Sequence, residues 1–599
     1  MSESPAVSYR VAFANPNAHL FVVELRVAAP SSTETRIYFP AWIPGSYLIR
    51  EFAKHVVSLS AADGEGQLPV EKLNKATYRI GPARGALVVR YEIYAADLSV
   101  RGAYFDNEFA FFNGSSLFAA VAGLEPRAAQ VEVAAPAHAP QWRLATAMPM
   151  REVDAQGFGT YIAEDYEALI DHPFLCGELN LVDFRAATVP HRCAIVGRHE
   201  VDAARLARDL ARLCEQHIDF FGRPAPMSRY DFLVIAVGDG YGGLEHRAST
   251  ALITRRDHLP CAGDSVDDGY REFLGLCSHE YFHLWNVKRI RPAAFTPYRL
   301  NAENYTRLLW AFEGFTSYYD DLALVRAGLI GIDDYLKGLG QTLTRVLRVP
   351  GHAKQSVAEA SFDAWIKFYR PDENAPNALA NYYTKGALIG LVLDLTIRQL
   401  TDDTHSLDDV MRYLWVTYGR SAKGVPEDGI ERAITTVTGL DLRAFLAGAV
   451  NGVEPLPLAE HLREAGIVLK LRAAKDDKDV GGAAQESLPR VSIGARFAET
   501  ELKLTHVLTD SAAERAGLAA GDVVVAVDGL RASRALLERL LKTHAPGHIL
   551  DLYAFRRDEL RRFELRLQAP AQDTAYLQLD EAADAAQLAR RSAWLGQSL

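Results

Sequence analysis

The spacing of apolar residues changes along the chain. In the first quarter they crowd into short runs rich in Val, Leu, Ile, Phe and Tyr, such as 19–27 and 86–94, separated by turns bearing Pro and Gly. Branched and aromatic side chains suit a pleated surface, and Pro and Gly end it, so these runs predict strands. A dense aromatic and glycine stretch follows at 101–118, and no long helical period occurs before about residue 165. The N-terminal quarter therefore reads as a β-sandwich-like domain. Near residue 200 the period lengthens. Leu206, Leu210, Leu213 and Ile218 recur at helical spacing, the mark of an amphipathic helix. The run 230–237 reads as a buried strand that leads into a glycine turn, and from about 268 to 450 the pattern is mostly helical. At 473–487 the chain turns polar, small and charged, as a linker or exposed loop does. Short strands return in 491–528 and 549–567, enough for one small domain, and the tail at 581–595 reads as helix.

Length and composition narrow the class. The 599 residues allow about four domains at roughly 150 residues each. With 49% hydrophobic and 24% charged residues the chain is ordinary globular protein, neither disordered nor fibrous. Acidic residues outnumber basic ones, 76 to 65, for a net charge of −11, so nucleic acid is not an expected partner. The longest apolar stretch, 387–397, is broken by Asp394 and too short to span a bilayer, and no membrane partner is expected. The opening residues lack the basic and apolar regions of a secretory signal. Five cysteines, odd in number and never in CxxC spacing, argue against a disulfide framework and against a cysteine zinc site. A reducing, cytoplasmic location is the expectation.

The sharpest chemical signal is HExxH at His279-Glu280-Tyr281-Phe282-His283. On a helix, residues four apart share a face, so His279 and His283 can offer imidazole nitrogens to one zinc ion. Glu280, one residue round, is placed to hold water instead of the metal. A catalytic zinc also needs a third protein ligand and an open position. Glu303 lies at a spacing common among zinc proteases, but in a polar run where solvation explains it. Glu313 lies further on, in an aromatic, helical segment where an uncompensated carboxylate would be costly. Spacing favours Glu303, environment favours Glu313, and Glu313 is the expected third ligand. Gly242 and Gly243 follow the strand at 230–237 and would let a substrate backbone approach closely. His217 reads as solvated on the polar side of its helix, and His246 as structural or a pocket wall. The basic cluster Lys288-Arg289-Arg291 reads as local pairing or a contact to a peptide carboxylate.

His279–Pro292 (HEYFHLWNVKRIRP) followed by Trp310–Tyr319 (WAFEGFTSYY) resembles the glycyl aminopeptidase family of PDZ-containing zinc metallopeptidases, gluzincins with a thermolysin-like catalytic domain. Trp42–Arg50 (WIPGSYLIR) resembles the family's N-terminal signature. The wider aminopeptidase clan adds three correspondences. Glu313 in Phe-Glu-Gly-Phe-Thr is similar to the segment carrying the third zinc ligand, although the gap from His283 is longer. Gly242-Gly243-Leu244-Glu245-His246 resembles the strand whose glutamate binds the substrate's free α-amine, with Leu244 and His246 departing from the pattern. Tyr383-Thr384-Lys385-Gly386 resembles the segment whose tyrosine stabilises the oxyanion.

The run 510–529 looks like a bacterial PDZ domain, with 492–497 as its carboxylate-binding loop; such a domain adds an extended peptide to a sheet edge. The resemblance thus implies a multi-domain α+β protein. Its parts are an N-terminal β domain (1–175), a thermolysin-like zinc peptidase domain with an α/β and a helical lobe (176–470), a linker or loop (471–489), a PDZ domain (490–570) and a helical tail (571–599). One zinc per chain is expected on His279, His283 and Glu313. Glu280 and Tyr383 are the catalytic residues, and Gly242, Gly243 and Glu245 bind substrate. The implied reaction is removal of small N-terminal residues, glycine or alanine, from peptides with a free N-terminus, with a peptide C-terminus as a further partner for the PDZ groove. A zinc endopeptidase of the same fold and an inactive PDZ-based scaffold are the alternatives, and the oligomeric state is left open.

Overall fold

The computed structural model describes residues 5–31, 33–263 and 265–596. It forms two compact units, Met1–Asn304 with Trp415–Gly424, and Tyr305–Leu414 with Val425–Leu599. The chain is a mixed α+β protein with a β-rich N-terminal region and a largely helical region after it.

In the first unit an eight-stranded sheet forms among the described residues. Its central strands are Val7–Asn15, Leu20–Val27 and Leu87–Tyr94, each antiparallel to the next in that order; Val7–Asn15 also pairs in parallel with Ala129–Val133. The alternation in Leu87–Tyr94 explains the geometry: Leu87, Val89, Tyr91 and Ile93 are buried while the residues between them are not. Two four-stranded sheets contribute to the same apolar core. Downstream, a five-stranded sheet carries β1 (Asn180–Ala186), β2 (Val189–Val196), β3 (Tyr230–Val237), β4 (Gly242–Glu245) and β5 (Ser249–Arg255). Its order is β1-β2-β3-β5-β4, so β4 lies at an edge. Helix α1 (Ala203–Phe221) crosses between β2 and β3, and α2 (Asp268–Phe282) carries the HExxH residues. A second apolar cluster ties Ile43, Val100 and Phe109 of the N-terminal region to Leu233, Leu244 and Ala251 of this sheet. Segments far apart in sequence thereby meet at β4.

The second unit is built on α3 (Leu309–Arg326), α4 (Ile332–Leu347) and α5 (Tyr382–Leu400). Asp394, the charge that interrupts the apolar run of α5, is fully buried. It accepts from the Tyr318 hydroxyl at 2.6 Å, Arg398 Nε at 3.1 Å and the Leu407 N–H at 2.9 Å, which offsets the cost of burying it.

β6 (Ile467–Arg472) is followed by the polar loop, which is fastened: Arg472 pairs with Asp479 and gives its Nε to the Ala483 carbonyl. Past it, β7 (Ala495–Phe497), a four-stranded sheet and α6 (Arg534–Thr543) enclose an apolar core of their own. The tail is not helical throughout. It opens with β8 (Thr574–Leu579), which pairs antiparallel with β6, and only then forms α7 (Ala585–Leu595). Strand-to-strand pairing across some hundred residues is invisible to local periodicity. Among the described residues no helix is long and apolar enough to cross a membrane.

Candidate active site

Helix α2 starts on Asp267, whose carboxylate accepts the Tyr270 N–H at 2.8 Å. Phe273, Leu274, Cys277 and Tyr281 bury its inner face. At its C-terminal end the Nε2 atoms of His279 and His283 face each other at 3.1 Å. His283 Nδ1 lies 2.7 Å from the Asn286 carbonyl. A carbonyl only accepts, so Nδ1 carries the proton and Nε2 is left with its lone pair, the form in which histidine binds a metal. Two imidazole nitrogens converging this closely fit a shared cation.

The helix is held from behind by two more histidines. Tyr281 Oη is 2.9 Å from His191 Nε2, and Ser278 Oγ is 2.9 Å from His217 Nε2. His217, expected to be solvated, is buried. Helix α1 packs on α2 along a stripe wide enough to include position 217, and the Ser278 hydroxyl satisfies the ring. Burial pushes His217 down to about 3 and His191 down to about 4, so both rings are neutral near pH 7.

Glu280 lies against β4. A Cβ on Gly243 would stand 2.0 Å from Glu280 Oε1, so only glycine lets the carboxylate rest there. Burial pushes Glu280 up to about 7, with His279 opposing and Glu245 adding to the rise. Glu245 is itself 4% exposed, and its Oε1 has no hydrogen-bond partner among the described residues. Gly45 from the N-terminal region lies against both oxygens of this carboxylate. Gly45 adopts φ +98°, and a Cβ there would come within 2.6 Å of Glu245 Oε2. Gly242 pairs with Ile253 and Gly243 with Leu252 on β5. Arg101 Nη2 donates to the Gly243 carbonyl at 3.2 Å.

The basic cluster is paired within the unit. Lys288 Nζ meets Asp171 at 2.6 Å, and Asp171 also takes His246 Nδ1 at 3.1 Å and the Arg247 N–H at 3.0 Å. Arg291 and Arg247 share Glu167, each at 2.8 Å. Arg289 donates to the carbonyls of Arg247, Leu284 and Pro226.

Glu303 sits half-buried in coil before α3, its backbone carbonyl accepting from Arg299. The second unit holds the remaining candidates. Glu313 is buried on α3, 2% exposed. Helices α3 and α5 cross at a pair of glycines: a Cβ on Gly314 would lie 2.5 Å from Gly386 Cα, and one on Gly386 would lie 2.5 Å from the Trp310 carbonyl. That contact explains the glycine in both Glu-Gly-Phe and Tyr-Thr-Lys-Gly. Tyr383 is in the first turn of α5, which Asn381 caps by accepting the N–H groups of Tyr383 and Thr384. Its hydroxyl is 3.1 Å from that of Tyr369, and its half-buried ring stacks on Tyr382 and Phe368.

Comparison with known proteins fits this geometry. Residues 8–178 match the model of the peptidase M61 N-terminal domain, and residues 272–389 that of the M61 glycyl aminopeptidase. A crystal structure of an aminopeptidase N family protein from Idiomarina loihiensis is 40% identical, covers 98% of this chain and 100% of its own, and superposes at a TM-score of 0.95. The chain belongs to the M61 glycyl aminopeptidase family. It is a metallopeptidase.

Two more distant matches are an M1 zinc metallopeptidase from Deinococcus radiodurans (15% identity, 75% of this chain and 95% of the other, TM-score 0.48) and Legionella pneumophila aminopeptidase A (15%, 75% and 50%, TM-score 0.45). Among curated proteins nothing matches. In this M61 peptidase the second matched segment includes His279, Glu280, His283, Glu313 and Tyr383, whereas Gly242, Gly243 and Glu245 lie outside both segments.

Arg101 and Gly45 escaped the sequence reading. Gly45 lies inside the Trp-Ile-Pro-Gly-Ser-Tyr motif that carried the resemblance, so the signal was there without its purpose. Arg101 had no local signal, because its contact with β4 spans more than a hundred residues.

Proposed function

We propose that this metallopeptidase is a zinc aminopeptidase that removes small N-terminal residues, glycine or alanine, from peptides with a free α-amine. The reading rests chiefly on Glu245: a buried carboxylate with an unused oxygen, beside Glu280, on an edge strand whose glycines leave room for a peptide backbone. His279 and His283, with Glu313 of the second unit as third ligand, make a His-His-Glu donor set suited to one zinc. Zinc, when bound, supplies polarisation of the scissile carbonyl and a more acidic water.

Each residue then has a distinct task. Glu280, its proton affinity raised by burial, takes the proton of the attacking water and delivers it to the leaving amine. Tyr383 donates its hydroxyl to the carbonyl oxygen as charge develops there. Glu245 pairs with the α-ammonium and so sets cleavage one residue in. Gly242 and Gly243 let the substrate lie along the edge of β4. Preference for glycine or alanine follows the family.

Residues 490–570 are, on this reading, a PDZ domain. A groove of about 380 Å³ is lined by β7 residues and by Arg534 and Leu537 of α6, where a peptide C-terminus would add to the edge. Lys475 and Asp477 of the preceding loop line it too, and Asp477 accepts the Phe497 N–H at 3.2 Å, so an incoming peptide has to displace that carboxylate.

A panel of aminoacyl fluorogenic amides beside N-acetylated peptides tests the reading, together with metal analysis. One zinc per chain and cleavage confined to free-amine substrates are expected, with Glu313→Ala losing zinc and Glu303→Ala retaining it. Internal cleavage of N-acetylated peptides at equal rate would establish an endopeptidase instead, and absence of zinc would overturn the assignment of the metal.

A further inference from the structure

Arg101 lies where the edge of β4 would meet a substrate. It is half-buried, its Nη2 is bonded to the Gly243 carbonyl at 3.2 Å, and its Nη1 is 3.6 Å from where a Gly242 Cβ would be. Its Nε is buried without a hydrogen-bond partner. Among the described residues no carboxylate lies within ion-pair distance of it, although its positive charge reaches Glu280. In the neighbouring cluster Arg247 and Arg291 each have a carboxylate, and Arg289 has three backbone carbonyls where Arg101 has one. A partly desolvated guanidinium with unused donors is matched by a carboxylate ligand, which it can grip through two N–H groups.

Its position along the strand sets the length of that ligand. Arg101 bonds at Gly243, two residues or about 7 Å from Glu245 at roughly 3.4 Å per residue, and reaches on beside Gly242, at about 10 Å. An extended tripeptide running antiparallel to β4, with its ammonium at Glu245, brings its last residue to Arg101 after a similar distance. The Gly243 carbonyl, which a longer substrate would use, is already taken by Arg101.

We propose that Arg101 anchors the α-carboxylate of the substrate and makes this enzyme select peptides of two or three residues. The inference rests on the proposed reading of Glu245 as the site of the N-terminus. Arg101 and Glu245 then act as the two ends of a gauge, with Glu280 between them.

The test compares trialanine with its C-terminal amide, and with the amidated peptide Ala-Ala-Glu, in the parent, Arg101→Gln and Arg101→Lys. Alanine anilide, which has no carboxylate, reports turnover without that contact, and the acid-to-amide ratio is taken within each enzyme. The parent is expected to favour the free acid over the amide in kcat/KM by at least roughly tenfold, as a charge-assisted contact allows. Arg101→Gln should bring that ratio to about one and Arg101→Lys should keep part of it, since a lysine retains the charge but not the fork. Slow turnover of the glutamyl amide assigns the selection to the α-carboxylate; a glutamyl amide as fast as the free acid overturns the length selection. Hydrolysis of the anilide with equal rates for acid and amide would refute the role of Arg101 and leave the aminopeptidase reading standing. Should no free-amine substrate be cleaved, that reading fails by itself. Arg101 is then judged by calorimetric binding of trialanine and its amide, where equal affinities overturn the proposal. Unchanged thermal unfolding of both variants separates lost recognition from lost fold.

Discussion

Two polar clusters lie close together in the first unit and are built on opposite rules. Around Asp171 the carboxylates are matched: Lys288 and His246 meet Asp171, Arg247 and Arg291 meet Glu167, and Arg289 is held by three backbone carbonyls. Burial alone would push the Asp171 carboxyl upward, yet Lys288 and His246 hold it well below the usual range. Around β4 charges are brought together and left short. Burial pushes Glu280 up to about 7, Glu245 has an oxygen with nothing bonded to it, and two glycines are pressed against these carboxylates where any side chain would collide. A buried charge without compensation is costly, so such a group takes up a proton or is completed by a ligand, and clusters of this kind gather at functional sites. On the proposed function, the matched cluster is a buttress and the unmatched one a receptor. Equal burial thus separates structure from function only when partners are considered too.

Substitutions on each side can break the contrast. The largest effect is expected at Glu280. Glu280→Gln should lower kcat by roughly a hundred- to ten-thousandfold while zinc content stays at one per chain, because the proton acceptor is lost and the ligands are not. A near-normal rate in the zinc-loaded variant would show that the acceptor is another group. Glu245→Gln is expected to be milder, cutting kcat/KM on free-amine substrates by at least roughly tenfold through a lost ammonium contact, again at full zinc. If N-acetylated and free substrates respond alike, Glu245 does not read the N-terminus.

On the buttress side, Asp171→Asn should leave Lys288 buried without its charge partner and destabilise the protein by about 3–5 kcal/mol in urea unfolding. The sign with pH follows from the depressed carboxyl. Its contribution is fully present above its unfolded value of about 3.9 and is lost as pH falls through the lower folded value. The variant's deficit should therefore shrink in acid. A deficit constant down to low pH would mean that Asp171 acts through packing alone.

Local pattern revealed much of this chain. The strand Tyr230–Val237 appears with the bounds that its apolar run suggests, and α1 and α2 lie where Leu206 to Ile218 and the HExxH residues put them. Those signals are short-range: a period, a cap, a four-residue spacing. What stayed hidden depends on contacts across long stretches of chain. His217 owes its burial to Ser278, Asp394 is held by Tyr318 and Leu407, and Arg101 meets its partner at Gly243, none of them a neighbour in sequence. Glycines fall between the two. Their positions were evident, but whether each was a turn, a helix crossing or a seat for a carboxylate depended on what pressed against them.

The pairing of β6 with β8 carries a consequence for anyone wishing to cut this protein. Arg472 and Thr574 are direct partners in that ladder, so everything between them leaves and returns through adjacent doors, like a cassette clipped into a hairpin. Ending the chain at about residue 488 would take with it β8, and also Trp594, which is fully buried and donates to the Tyr318 hydroxyl that holds Asp394. Splicing residue 472 to 574 through a tight turn would instead keep the ladder, the tail and that tryptophan, and would shorten a very long loop. The C-terminal portion is removable from the inside of the chain and not from its end.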